Sequence, residues 1–247
     1  MSSTQARPAL SSRTVGASSP LARIALAGFV SFFAASVVVG ALNPGYSPVR
    51  EAMSALAATN ARYAGLMIAA FLLAAVAFVS TGILLWRQFA GSRAGRVAAG
   101  LIMVGGPEMA VCGLARQDCS ERLPSCIDYG SAPLASTHFW VHQYVALVLF
   151  TGLTVAMFLL ARAVRTSAGR EYLARPTRLI AIYCVLTIVV VFMAEIGNSY
   201  HGLFQRLFAV LTFGWPLLIA TTSPRPAPAG ADARNGVGAE SSNLAAR

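Results

Sequence analysis

Lysine is absent from the 247 residues and only nine are acidic, so that nineteen arginines leave a formal net charge of +10. A basic chain of this kind could suit nucleic acid. Charged residues, however, make up only 11% of it, 56% are hydrophobic and the mean hydropathy is +0.64. No soluble domain carries that much hydrocarbon on its surface, so a lipid bilayer is the expected partner and nucleic acid is not. Recognisable chemistry is equally scarce. Three histidines and four cysteines occur, with no Cys-x-x-Cys, His-Glu-x-x-His, Gly-x-Ser-x-Gly, phosphate loop or dinucleotide fingerprint among them. No internal repeat is evident, which weighs against a transporter built from inverted halves. Whether the protein is an enzyme at all cannot be read from its residues.

What is present is a succession of long apolar runs. A hydrocarbon core about 30 Å thick requires about 20 mostly apolar residues per helix. Six runs meet this, approximately Leu21 to Leu42, Tyr63 to Trp86, Val97 to Ala115, His138 to Ala161, Arg178 to Gly197 and Leu203 to Thr222. Backbone polar groups cannot be left unpaired in lipid, and the runs lack the two-residue alternation of barrel strands. The fold class is therefore all-α, an integral membrane bundle of six transmembrane helices spanning residues 21–222, with disordered cytoplasmic tails over 1–20 and 223–247. Ala27, Ser31 and Ala35 recur every four residues on the first span, the spacing that lets helix backbones approach closely.

The arginines also set an orientation. With six spans both termini share a side, and fourteen of the nineteen arginines fall on it, leaving only Arg50, Arg62, Arg116, Arg122 and Arg206 on the other. By the positive-inside rule both termini are cytoplasmic, in a multi-pass protein of the cell (inner) membrane. The first outer loop predicts a short amphipathic helix after the first span. Ser47 suits its N-cap, Pro48 its first position and Glu51 its first turn. Val49, Ala52, Met53, Leu56 and Ala57 would form the apolar face, with Arg50, Glu51 and Ser54 opposite.

Polar chemistry collects between Glu108 and His142, which holds four of the nine acids, two of the three histidines and three of the four cysteines. Gly105-Gly106-Pro107 precedes Glu108 and predicts a kink or local unwinding beside a membrane-embedded acid. Such a carboxylate must be partnered or protonated, either in a lock with Arg206 or in a functional role. Cys119 and Cys126 lie in the following loop and read as a disulfide in an oxidising compartment, ahead of a metal site, for which the loop lacks Cys-x-x-Cys and histidine. Cys112 and Cys184, within spans, read as small hydrophobes. His138 and His142 are four apart on one helix face, and His201 sits at the same membrane level near Asp118, Glu108 and Glu195. Glu195 and Asn198 can share a face, and Trp215-Pro216 predicts a kink in the sixth span.

Four segments together resemble a known family: Pro44 to Leu56, Gly113 to Cys119, the Thr-His-Phe-Trp-Val-His start of the fourth span, and Gly-Leu-Phe-Gln-Arg-Leu-Phe before Trp215. They resemble the prokaryotic six-span family numbered 998 among the domains of unknown function. The resemblance implies the fold and the membrane location, and supplies no catalytic roles.

Two classes of function follow. In the first, an outward-facing polar pocket formed by Glu108, Asp118, His138, His142, Glu195, Asn198, His201 and Arg206 binds a small ligand, a lipid headgroup or a partner. In the second, a membrane-embedded metal hydrolase acts at the outer leaflet. There His138, His142 and His201 would hold zinc, Asp118 would ligate or support them, and Glu108 would act as general base. The first is preferred.

Overall fold

The computed structural model describes residues 19–119, 136–197 and 200–225, the stretch 191–197 by its backbone alone. The predicted tails fall almost wholly outside these residues. Six long helices and no strand occur among them: α1 (Pro20–Leu42), α2 (Ala64–Gln88), α3 (Arg93–Leu114), α4 (Thr137–Arg165), α5 (Ala174–Gly197) and α6 (His201–Thr221). All six are long and apolar enough to cross a membrane. Their starts follow local chemistry. Ser19 accepts from the Ala22 N–H with Pro20 in the first turn, Ser92 accepts from Gly95, and Ser136 accepts from Phe139. Arg87, Arg162 and Arg165 sit in final turns, where the helix dipole favours cations.

Consecutive helices neighbour one another, and α6 closes the bundle against α2, α1 and α4. One end of the bundle, here the mouth, carries the connections after α1, α3 and α5. The other, the base, carries both ends of the described chain. At the centre, the Phe213 ring of α6 lies 4.6 Å from Phe78, 5.1 Å from Phe29 and 5.6 Å from Phe32, so three helices meet on one aromatic cluster.

α3 runs without interruption through Gly105-Gly106-Pro107, so the predicted unwinding does not occur. Pro107 turns its ring to the exposed side of the helix, and the glycines serve packing. A Cβ on Gly106 would stand 2.6 Å from a Val79 methyl and 2.8 Å from the Ala75 carbonyl oxygen, so only glycine lets α2 and α3 come this close. On α1 the close approach is at Gly28, whose Cβ would meet the Leu73 carbonyl at 2.5 Å, rather than along Ala27, Ser31 and Ala35. Ala27 is exposed, because the inward stripe of α1 is set by Phe29 and Phe32. Trp215 of α6 donates to the Thr177 hydroxyl of α5 at 2.9 Å, and α6 stays helical through Pro216.

The short helix after the first span is present as a five-residue 3-10 turn, Met53–Ala57. Ala52 breaks the longer helix with ψ of 152°. Of the two placements open to an amphipathic segment here, on the outer surface or tucked into the bundle mouth, it takes the second. Residues 51–58 are all buried, including Glu51 and Ser54 from the face predicted to be polar, and Val49 is exposed instead. The bundle mouth draws the segment in because its backbone groups find partners there.

Candidate functional site

The mouth is built from side chains that bind main chain. At the end of α1 the buried Asn43 donates to the Val39 carbonyl at 2.8 Å and to the Arg62 carbonyl at 3.0 Å, and accepts the Arg62 N–H at 2.8 Å. One amide therefore ties the end of α1 to the start of α2. Between them, the Glu51 carboxylate accepts the Ser47 N–H at 2.8 Å, and the Tyr46 hydroxyl donates to the Ala52 carbonyl at 3.1 Å.

α6 holds this segment from the far side of the sequence. Gln205 accepts the Met53 N–H at 2.7 Å, and the Leu203 N–H donates to the Val49 carbonyl at 2.9 Å. Arg206 donates through Nη1 to the carbonyls of Glu51 at 2.9 Å and Gly202 at 3.0 Å, and to that of Pro48. Its Nη2 donates to the Tyr46 hydroxyl. A guanidinium suits this work because it presents five donors in a fixed plane. The predicted lock between Arg206 and Glu108 is thus not formed. Arg206 is taken by carbonyls of residues 48–51, while Glu108 sits half-buried on a flank of α3 with no hydrogen bond or ion pair among the described residues. Burial raises the Tyr46 phenol above its ordinary value, and the neighbouring Arg206 works against that rise.

The second half of the mouth joins α3 to the same segment and to α4. Arg116 donates to the Ala57 and Ala58 carbonyls at 2.8 and 2.7 Å, satisfying the end of the 3-10 turn. Gln117 donates to the Ser54 hydroxyl at 3.2 Å, and its carbonyl accepts the Thr59 N–H at 3.0 Å. Asp118 accepts the N–H of Ser136 at 2.8 Å and the hydroxyl of the same residue, fixing the start of α4. His138 Nδ1 lies 2.8 Å from the Arg116 carbonyl and 3.4 Å from Asp118. These bonds form one clasp linking the ends of α1, α2, α3, α4 and α6.

Of the predicted site residues that are described, Asp118 and His138 are brought together, and Glu108, His142, His201 and Arg206 join no common cluster with them. His142 is buried within the bundle, whereas the His138 side chain is 49% exposed, although both lie on one turn of α4. His142 Nδ1 is 2.9 Å from both the Cys112 and the Ala115 carbonyls, so it carries the proton and Nε2 is the acceptor. His201 opens α6, half-buried and without a hydrogen bond among the described residues. Among those residues no three His, Cys, Asp or Glu side chains are grouped to hold a metal ion. Asn198, Cys126 and the Glu195 side chain lie outside the described residues, and so does the predicted pairing of Cys119 with Cys126.

Beneath the clasp lies a cavity of about 40 Å³. Aromatic rings and thioethers dominate its wall, with Ser54, His142 and Gln205 as its polar members. That volume holds a few water-sized groups. Tyr46, Glu51, Arg116 and Gln117 belong to the clasp although nothing in their sequence spacing marks them as a site. Their common signal is a polar side chain in a connection that follows a span end.

No curated protein and no solved structure matches the chain. The chain does belong to a family, the proteins of unknown function termed DUF998, whose model matches residues 26–222 and so reaches into all six membrane-type helices.

Proposed function

We propose that this chain is a non-enzymatic six-span protein of the cytoplasmic membrane, with both termini in the cytoplasm and the clasp facing outward. In this reading the cavity under the clasp receives a small amphiphilic ligand, an apolar body with a hydroxyl head. The observation that carries it is His142: its Nδ1 proton is committed to two carbonyls, which leaves Nε2 as an acceptor without a donor among the described residues, on a mostly apolar wall. The Ser54 hydroxyl and the Gln205 amide border the same space. The orientation rests on the arginine asymmetry of the sequence. In the oxidising compartment that it implies, Cys119 and Cys126 pair as a disulfide that shortens the loop above the mouth. A metal hydrolase has no comparable support, since no three His, Cys, Asp or Glu side chains are grouped to hold a metal ion among the described residues.

The test is imidazole nitrogen NMR of His142 in lipid nanodiscs, titrated with 1-butanol and, as a control without a donor, 1-chlorobutane. A saturable shift of Nε2 with butanol is expected, weaker by about tenfold with chlorobutane for the loss of one hydrogen bond, and absent in Leu149→Trp, which fills the cavity. A response that never saturates, or that is unchanged in Leu149→Trp, would overturn the reading.

A further inference from the structure

At the base, opposite the clasp, the turn between α2 and α3 and the last turn of α4 enclose an open crevice of about 550 Å³. Its wall includes Arg93, Arg162, Ser92, Thr166, Ser167 and Gln88, and no acidic residue. Neither the Arg93 nor the Arg162 guanidinium makes a hydrogen bond or ion pair among the described residues. Thr166 and Ser167 turn their hydroxyl protons to the carbonyls of α4, so the free donors come from elsewhere. Ser92 Oγ accepts from Gly95, which leaves its own proton available. The Ser92 carbonyl takes the Arg96 N–H and its hydroxyl oxygen the Gly95 N–H, so the amides of the α3 start left without a partner among the described residues are those of Arg93 and Ala94. The first turn of α3 holds no acid that would compensate them.

Two guanidiniums, a hydroxyl and two amides around one space form a donor set for a tetrahedral oxyanion. A third guanidinium lies behind the wall, with Arg170 buried 5.8 Å from the Phe89 ring that faces the crevice. The nearest acid on this loop, Glu171, is outside the wall and accepts the Gly169 N–H. Gln88 is held through its amide nitrogen by the Ile219 and Thr222 carbonyls, and its Oε1 is buried with no partner among the described residues.

We propose that this crevice is a binding site for a phosphate group, matching the phosphodiester and glycerol hydroxyls of an anionic phospholipid headgroup. The cluster differs from a merely basic surface in being concave, unpaired and equipped with amide donors. It is independent of the cavity under the clasp, and of which way the bundle faces.

Native mass spectrometry of the full chain in a neutral detergent tests it, with phosphatidylglycerol, phosphatidylcholine and inorganic phosphate as separate probes. Wild type should retain one phosphatidylglycerol under conditions that strip phosphatidylcholine. Arg93→Gln with Arg162→Gln should weaken retention about 30-fold, about the worth of two arginines at an anionic lipid. Arg175→Gln with Arg178→Gln removes the same charge from the same end outside the crevice and should leave retention unchanged. Inorganic phosphate that binds wild type but not the first pair, with no preference for phosphatidylglycerol, would support the phosphate site and reassign its source to a free ion. Equal losses in both pairs, or equal retention of phosphatidylcholine with no binding of inorganic phosphate, would overturn the proposal.

Discussion

The guanidinium of Arg206 donates to the carbonyl oxygen of Glu51 at 2.9 Å, joining the start of the last helix to the loop after the first across 155 positions of sequence. Gly202, one turn earlier, makes the contact possible, because a Cβ there would stand 2.1 Å from the same oxygen.

These two positions should therefore fail together. Arg206→Ala leaves partly buried carbonyls without a donor and is expected to cost about 2–4 kcal/mol. Gly202→Ala should cost about 1–3 kcal/mol by forcing the loop away. Because each change displaces the same segment, the double variant should lose less than the sum. Unfolding monitored by tryptophan fluorescence in micelles measures all three. Full additivity would separate the two roles.

Tyr46 gives the clasp an alkaline limit. Burial holds its phenol above the ordinary value of 10.0 despite Arg206. An acid whose folded pKa is raised keeps its proton in the folded protein after the unfolded chain has released it. Stability therefore falls as pH climbs from about 10 toward the folded value. Tyr46→Phe should show a shallower decline than wild type over that interval, in melting curves recorded at successive pH. Parallel declines would remove Tyr46 as the cause.

Thiol counting tests the loop. Cys112 and Cys184 are buried and free, so both should resist maleimide in the folded protein. After unfolding without reductant two of the four cysteines should react, and with reductant all four. A count of four without reductant would exclude the pairing of Cys119 with Cys126, and with it about 2–3 kcal/mol of loop constraint.

Reporter fusions test the orientation. A periplasm-dependent enzyme joined after Asp128 should be active and the same enzyme joined after Arg170 should not. The opposite pattern would turn the clasp toward the cytoplasm.

The six helices were legible because a bilayer imposes a length that apolar runs either meet or miss. The second span, expected over Tyr63 to Trp86, is found as Ala64–Gln88. The level of the polar residues was legible for the same reason, since charged groups collect at span ends. Their partners were not. Arg206 reaches carbonyls, and every residue supplies a carbonyl, so no spacing rule identifies Pro48 or Glu51 as its acceptor. His138 and His142 share a helix face in the sequence pattern, yet one turn of rise carries the first out of the bundle and leaves the second inside. The glycines before Glu108 read as a breaking point because their role, close contact with α2 and α4, depends on neighbours that the local sequence does not name.

The clasp recognises the course of the main chain more than the identity of its residues. Arg116, Gln117, Gln205 and Arg206 supply the side chains, whereas Pro48, Ala57, Ala58 and Met53 contribute only backbone groups. Genetic drift should thus weigh unequally on the two sides of the same bonds. Substitutions among the backbone contributors are free to accumulate so long as the path and the buried volume are kept, while each of the four side chains is tied to its neighbours by geometry. Within a lineage, this region would retain its shape with a small fixed vocabulary of polar residues set in a changing apolar text.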